Sequence, residues 1–163
     1  MKKIFIDHTE TKLIGVTVRT NNQNEIAPMT GKIFGCIRRY FHEKLAECIP
    51  HRLKPGTTYC AYTAYASDHR GDYTYFIGEQ VSAVAKIPEG FESLLIPAQQ
   101  YARFTNGPGK MPEVIREPWF AIWDMSAEQL GGERAYITDF EIYDERAADH
   151  EKIVLDIYIG LKS

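Results

Sequence analysis

The chain lacks the features that assign a sequence to several common classes. Cys36, Cys48 and Cys60 form no Cys-x-x-Cys pair and have no histidine at ligand spacing, so we reject both a disulfide framework and a zinc site. No stretch approaches the length of a membrane span, about 20 apolar residues. Asp7 and Glu10 interrupt the apolar run that a signal peptide would need. We therefore expect free thiols and a cytoplasmic protein without a bound metal.

Basic charge is also scarce. The sequence has 19 Lys plus Arg against 22 Asp plus Glu, a net charge of −3, and its only basic clusters are Arg38-Arg39 and the segment 51–54. Phosphate binding needs a basic patch, so a direct nucleic-acid partner is not expected. The sequence has no Gly-x-Ser-x-Gly motif, and Gly107-Pro-Gly-Lys110 lacks the spacing of a phosphate loop. No cofactor is predicted.

Aromatic residues, in contrast, are plentiful. They make up 12% of the 163 residues, with 10 Tyr, 8 Phe and 2 Trp, in an otherwise ordinary globular composition of 44% hydrophobic and 25% charged residues. The length suits one domain with a substantial core. Rings in excess of what a core needs often line ligand sites, although a tyrosine-rich sheet is the commoner explanation.

Hydrophobic periodicity divides the chain into the order β-α-β-β, twice. Apolar residues at three- and four-residue steps predict one helix over 27–49 and a second over 112–125. Asn106-Gly-Pro-Gly109 predicts a break in the chain. Strand-like patterns cover 3–19, 57–66, 72–83, 91–104, 134–144 and 152–161.

A short sequence echo supports an internal duplication. The Tyr-Phe-Ile sequence before Gly78 is echoed by Tyr-Ile before Gly160, and the two glycines stand 82 positions apart, about half the chain. We expect a single α+β domain made of pseudo-repeats at about 1–86 and 87–163, related by a pseudo-twofold axis. Both helices would cover one face of an antiparallel sheet, and the other face would form an open, concave groove for a ligand.

One carboxylate lies inside an aromatic strand. Glu141 stands between Phe140 and Tyr143 in the strand predicted over 134–144, although strands are depleted in acids. A buried charge costs several kcal/mol unless it is paired. Alternation puts Asp139 on the same side, and we expect a side with two acids to face away from the helices. Glu141 is therefore either a solvated or ion-paired strand acid, or the counter-charge for a cationic ligand.

Other candidate residues share predicted faces with one another. They are Glu79, Tyr73 and Tyr75 on one strand, Tyr59 on another, and Trp119 and Trp123 on the second helix. Alternation places Tyr65 on the same side of its strand as Tyr59, but we do not count it as a candidate. Glu79 is a second acid at a strand position and is otherwise explained as an exposed strand end. The two tryptophans, one helical turn apart, either anchor the helix to the sheet or contact a ligand.

Three motifs in this order resemble the gyrase-inhibitor-like superfamily, which includes AraC-type effector-binding domains. They are Asp72–Gly78, Met111–Trp123 and Thr138–Tyr143. The resemblance covers nearly the whole chain and is closest to the stand-alone integron-cassette effector-binding proteins. It implies a duplicated β-α-β-β domain whose concave sheet face binds amphipathic, often cationic, organic molecules.

The resemblance also implies roles for individual residues. An acid offsets the charge of the ligand, which we carry over to Glu141, with Tyr143, Trp119 and Trp123 as walls and Glu79 as the second choice. Multidomain relatives attach this module to a helix-turn-helix regulator. Because the two repeats occupy the chain, we expect no DNA-binding domain, and the partners would be a separate regulator or a second copy of the chain.

The leading hypothesis is thus a binding module for cationic, drug-like small molecules. Some stand-alone relatives hydrolyse reactive cyclopropane-containing compounds with an acid and pocket aromatics, which makes such a hydrolase the second hypothesis. A protein-binding inhibitor is the third, and it would present an exposed surface in place of a pocket.

Overall fold

Eight strands form a single antiparallel sheet in the computed structural model of the chain, which describes residues 1–27 and 29–163. The strands are β1 (Lys2–His8), β2 (Thr11–Asn21), β3 (Thr58–Thr63), β4 (Asp72–Gln80), β5 (Glu92–Ile96), β6 (Gln99–Gly109), β7 (Thr138–Tyr143) and β8 (Ile153–Gly160). Their order across the sheet is β1-β6-β8-β7-β3-β4-β2-β5. If each strand of the first half is replaced by its counterpart in the second half, and the reverse, the same order is obtained when the sheet is read from its opposite edge. The predicted pseudo-twofold α+β architecture is therefore confirmed.

Each half contains one strand more than predicted. The stretches 3–19 and 91–104, each predicted as one strand region, are split into β1 with β2 and β5 with β6. The leading strand of each half pairs with the other half, β1 with β6 and β5 with β2, which ties the two repeats into one sheet. Pro97, which has no backbone N–H, lies between β5 and β6.

The break predicted at 106–109 is a bulge inside β6. The pairing of β6 with β8 shifts register between Asn106 and Gly109, and Gly109 is the last residue of the strand. A bulge accommodates the extra residues by bending one strand while its neighbour stays regular. Glycine and proline in this segment therefore mark a bulge in the last residues of the strand, which ends at Gly109.

Four α-helices lie within the described residues. They are α1 (Asn22–Ile26), α2 (Ile33–His42), α3 (Glu113–Trp123) and α4 (Ala127–Leu130), with 3₁₀ turns at Leu45–Cys48 and Glu145–Ala147. None of these helices has the length and hydropathy needed to cross a lipid bilayer.

The first long helix is shorter than the predicted 27–49. The Glu25 carboxylate accepts hydrogen bonds from the backbone N–H groups of Lys32, at 2.8 Å, and Ile33, at 3.1 Å, and so satisfies donors at the start of α2. Lys44 has a left-handed φ of 51°, which turns the chain out of the helix. A single hydrophobic stripe thus spans a helix and a separate 3₁₀ turn.

Both long helices cover the same face of the sheet. α2 buries Cys36 and Tyr40 against the strands of the first half, and α3 buries Trp119 against those of the second. The buried residues under α2 form one hydrophobic cluster, and those under α3 form a second. Tyr62 and Tyr143 pack against both clusters, so they mark a seam between the two helices over the centre of the sheet. The predicted placement of both helices on one face is confirmed.

The opposite face is closed by rings. Phe140 stacks on Tyr158 with centroids 4.5 Å apart, and His8 approaches both rings at 5.4 Å. His8 belongs to the edge strand β1, three positions from β7, so the sheet must curl for this contact to form. The expectation that the face away from the helices is the open one is therefore corrected.

Candidate ligand-binding site

Glu141 lies on the helix-covered face, opposite to its expected side. It occupies the central strand β7 and is only 2% exposed. Its carboxylate accepts a hydrogen bond from Trp119 of α3, which fixes the face to which it points. The prediction failed because it assumed that acids avoid the helix layer, whereas here the seam between α2 and α3 supplies polar partners.

Three donors surround the Glu141 carboxylate. Oε2 accepts hydrogen bonds from the Tyr62 hydroxyl and from Nε1 of Trp119, both at 2.7 Å, and Oε1 accepts from the Tyr143 hydroxyl at 2.8 Å. Hydrogen bonds to a charged acceptor are short and strong. We call Glu141, Tyr62, Trp119 and Tyr143 the Glu141 cluster.

Glu141 differs from the other buried acids in its lack of a cation. The described residues contain four buried carboxylates, on Glu79, Asp139, Glu141 and Asp156. Three of them form ion pairs, Glu79 with Arg52 at 3.5 Å, Asp139 with Arg134 at 2.8 Å and Asp156 with Arg146 at 2.7 Å. Within the described part of the chain, Glu141 alone of these four forms no ion pair, and its charge is offset only by neutral donors.

The pKa of Glu141 depends on its burial and on the three donors around it. Burial raises the pKa of Glu141 above its ordinary value, against the lowering effect of hydrogen bonds from Tyr62, Trp119 and Tyr143. Burial together with the Glu141 charge raises the pKa values of Tyr62 and Tyr143, so both hydroxyls remain donors at neutral pH. A positive charge brought beside Glu141 would favour its ionised form.

Further rings extend the cluster along the seam. The Tyr62 ring lies 4.9 Å from Trp119, 5.5 Å from Tyr73 and 5.4 Å from Tyr75, measured between centroids. Tyr65 continues the series at 5.9 Å from Tyr73. The acid is thus set in a nearly continuous aromatic wall, which is the environment that attracts an organic cation.

The structure brings five of the eight candidate residues into this region and separates the other three. Glu141, Tyr143, Trp119, Tyr73 and Tyr75 lie together on the helix face. Trp123 is half-buried against Phe120 and lines a surface cavity beyond the cluster. Tyr59 stacks over Phe140 on the opposite face.

Glu79 occupies a separate position in the first half. Its Oε2 lies 3.5 Å from the Arg52 guanidinium and accepts a hydrogen bond from the Gly56 backbone N–H at 3.3 Å, while Oε1 has no hydrogen-bond partner among the described residues. It also raises the pKa of Tyr40, after the larger effect of burial. Glu79 is therefore an internally neutralised acid beneath α2, away from the seam.

Sequence reasoning missed three residues of the region. Tyr62 donates to Glu141, and both Tyr65 and Arg134 contact Asp139. Tyr65 had been grouped with Tyr59 by alternation, but β3 ends at Thr63 and Ala64 has a φ of 51°, which turns Tyr65 to the helix face. Arg134 lies in an irregular segment without periodicity, so only the three-dimensional structure shows its position.

A cavity of about 530 Å³ adjoins the region from outside. It lies between the end of α3, α4 and the segment 133–136, and its lining includes Trp123, Arg134 and Tyr136. The Glu141 carboxylate is not part of this lining, because the rings of the cluster close over it. Among the described residues, there is no group of three or more Asp, Glu, His or Cys side chains that could hold a metal ion.

Comparison with known proteins places this geometry in a family context. Residues 7–161 match the model of a family described as integron-associated effector binding protein. YobU of Bacillus subtilis, provisionally described as a transcriptional regulator protein, is 27% identical over 158 residues, which is 96% of each chain. The transcriptional regulator BrlR of Pseudomonas aeruginosa is 35% identical over 86 residues, 53% of this chain and 31% of BrlR.

Solved structures share the fold. An integron cassette protein from the mobile metagenome of Vibrio cholerae superposes with a TM-score of 0.76 at 24% identity, over 98% of this chain and 95% of that one. The protein SAV2435, solved bound to tetraphenylphosphonium, superposes with a TM-score of 0.77 at 15% identity, over 100% of this chain and 95% of that one. At these identities the likeness concerns the fold alone.

Proposed function

Because the chain belongs to the integron-associated effector-binding family, we propose that it binds amphipathic organic cations, with Glu141 as their counter-charge. The observation that carries this proposal is the ionic environment of the four buried acids. Three have an arginine, and Glu141 forms no ion pair with any described residue. A buried carboxylate without a cation is destabilising for a folded protein, and a cationic ligand would remove that cost.

The rings around Glu141 favour organic cations over small hydrated ones. Tyr62, Tyr143 and Trp119 contact the carboxylate, and Tyr73 and Tyr75 pack behind Tyr62. Each ring that meets a positive charge contributes about 0.5–2 kcal/mol beyond its buried area. The binding of tetraphenylphosphonium by SAV2435, a protein of the same fold, supports the choice of a lipophilic cation as the first probe.

Binding requires the Glu141 cluster to open. Glu141 is 2% exposed and Trp119 is 8% exposed, so a ligand must displace at least part of the aromatic wall. The apparent affinity then includes the free energy of that rearrangement. The three hydrogen bonds to the carboxylate are the contacts that a cation would replace or share.

The direct test is titration with tetraphenylphosphonium, followed by quenching of the fluorescence of Trp119 and Trp123. We expect saturable binding by the wild type, and a loss of affinity of about ten- to hundredfold in Glu141→Gln, since a charged contact contributes about 1.5–3 kcal/mol. Glutamine keeps the size of the side chain and can still accept from Tyr62 and Trp119.

Glu79→Gln is the matched control. It removes a buried carboxylate that already has an arginine partner and lies outside the seam, so tetraphenylphosphonium affinity should stay at the wild-type value. Equal affinity of the wild type and Glu141→Gln would exclude Glu141 from the mechanism. No saturable binding by the wild type would contradict the proposed function itself.

A further inference from the structure

Arg134 occupies an aromatic cage of the kind that a cationic ligand would use. Its guanidinium lies 4.4 Å from the centroid of the Tyr136 ring, 5.8 Å from Trp119 and 5.9 Å from Tyr65. Nη2 also donates to Asp139 at 2.8 Å, and the side chain is only 7% exposed. A planar cation surrounded by rings and held by one carboxylate is thus already present in the molecule.

This cage shares a wall with the Glu141 cluster. Asp139 and Glu141 are two residues apart on β7 and point to the same face, so their Cα atoms are about 7 Å apart. Trp119 joins the two positions, because its Nε1 donates to Glu141 while its ring lies beside Arg134. The seam therefore contains two adjacent acid-and-ring positions, one filled by an arginine of the chain and one without a cation.

One hydrogen-bond donor of Arg134 is unsatisfied among the described residues, and a cavity adjoins the segment that contains it. Its Nε is buried and has no hydrogen-bond partner in the described part of the chain, an arrangement that is rare for a guanidinium. Arg134 belongs to the irregular segment between α4 and β7, which also contains Tyr136 with a φ of 53°. The same segment borders the cavity of about 530 Å³.

We propose that Arg134 fills a second cation subsite, formed by Asp139, Tyr65, Tyr136 and Trp119, and thereby restricts the site to ligands with one positive charge. This inference rests on the proposed function of Glu141. In the wild type, the second charge of a dicationic ligand meets the Arg134 guanidinium. Without Arg134, Asp139 and the three rings become available to that second charge.

The test compares two probes of the same shape and different charge. N-methyl-4-(para-methylphenyl)pyridinium is a monocation, and methyl viologen is the corresponding bipyridinium dication. The ratio of their dissociation constants, measured by calorimetry at constant ionic strength, should favour the monocation in the wild type. In Arg134→Gln the ratio should shift towards the dication by about tenfold or more, the gain expected from one carboxylate and its rings.

Two variants separate this role from a structural one. Arg134→Gln/Asp139→Asn removes both charges of the pair and avoids an unpaired buried acid. It should still bind the monocation, but it should not show the full shift towards the dication that we expect of Arg134→Gln. Arg134→Lys keeps the positive charge and should retain the wild-type ratio. General damage to the fold would weaken both probes together and leave the ratio unchanged, which would overturn the proposal.

The outcomes also distinguish the two proposals. If the monocation binds the wild type and is lost in Glu141→Gln, the proposed function stands whatever Arg134 does. An unchanged ratio in Arg134→Gln, or tighter binding of the dication by the wild type, would then overturn the Arg134 assignment alone. If Arg134→Gln does not fold, the double variant still decides the question, because removal of the guanidinium should reduce the wild-type discrimination against the dication. A ratio in the double variant equal to that of the wild type would then overturn the Arg134 assignment.

Discussion

The two halves of the molecule have the same scaffold and different chemistry at equivalent positions. Tyr62 pairs with Tyr75 three residues before Gly78, and Glu141 pairs with Ile157 three residues before Gly160, so Tyr62 and Glu141 are pseudo-equivalent. By the same matching, Glu79, which follows Gly78, corresponds to Leu161. The acid of the first half and the acid of the second half therefore do not occupy equivalent sites.

This difference shows how a duplicated domain can contain a single, asymmetric candidate site. The pseudo-twofold axis passes between β3 and β7, and the two equivalent side chains meet there, with the Tyr62 hydroxyl donating to Glu141 at 2.7 Å. One repeat provides the carboxylate and the other provides a donor to it. Two acids at these positions would repel each other, and two tyrosines would have no charge for a cation.

The largest expected effect is a loss of stability when the buried ion pair of the second half is broken, compared with that of the first half. Arg134→Ala should lower the free energy of unfolding by about 3–5 kcal/mol, because it leaves Asp139 buried without a cation. Arg52→Ala should cost about 1–2 kcal/mol, since the pair with Glu79 is longer and the Arg52 side chain is 24% exposed. Urea denaturation of both variants at neutral pH measures the difference.

The rank order of these two variants is the informative result. Comparable losses would mean that the two halves depend equally on their internal pairs, and that the greater burial of Arg134 has no energetic consequence. A smaller loss for Arg134→Ala than for Arg52→Ala would reverse the comparison. Arg39→Ala, which breaks the exposed pair between Arg39 of α2 and Glu43 just after the helix, controls for the general effect of removing an arginine.

The second expected effect is a gain in stability, in contrast to the losses expected of the arginine variants. Burial raises the folded-state pKa of Glu141, so its protonated form stabilises the fold below the unfolded pKa, and this contribution is lost as pH rises through the folded pKa. Above that pH the wild type carries a buried charge that Glu141→Gln lacks. Glu141→Gln should therefore be more stable by about 1–2 kcal/mol near pH 8, with no difference near pH 3.

Thermal or urea unfolding at several pH values checks this prediction. Asp139→Asn, two residues away on the same strand, is the control and should be destabilising, since it leaves Arg134 without its carboxylate. A Glu141→Gln protein that is less stable than the wild type at pH 8 would show that the three hydrogen bonds fully compensate the buried charge.

The fold was predictable because its signals are local and repeated. Apolar residues at three- and four-residue steps predicted the helix, and the echo between the segments before Gly78 and Gly160 gives the repeat length. The buried side of α2 was not predicted correctly, because Phe34 and Phe41 of the predicted stripe are exposed and α2 buries Cys36 and Tyr40. The additional strands and the early end of α2 depend on backbone details, such as the φ of 51° at Lys44, which a hydrophobic pattern does not encode.

The candidate site was predictable only in part. Glu141 stood out as an acid in an aromatic strand, but the identity of its donors depends on strand register and on which helix crosses which strand. The Tyr62 contact follows from the β3–β7 pairing across the two repeats, which no local pattern contains. Arg134 is held by its ion pair with Asp139, and the irregular segment that contains Arg134 has no periodicity from which its position could be predicted.

The smallest expected effect concerns the donor from the first half. The carboxylate of Glu141 must be ionised to hold a cation, so tetraphenylphosphonium affinity should rise with pH through the raised pKa of Glu141 and then level off. Tyr62→Phe removes one of the three donors that lower this pKa. The midpoint should then move to higher pH by about 0.4–1 unit, which corresponds to one hydrogen bond of about 0.5–1.5 kcal/mol.

Tyr59→Phe is the matched control for this shift. Tyr59 lies on the same strand, but its ring stacks over Phe140 on the other face, so its hydroxyl should not influence the midpoint. If Tyr62→Phe moves the midpoint upward and Tyr59→Phe does not, the first repeat tunes the acid of the second through the hydrogen bond across the pseudo-axis. An unchanged midpoint in Tyr62→Phe would mean that Trp119 and Tyr143, both from the second repeat, determine the ionisation of Glu141 without help from the first.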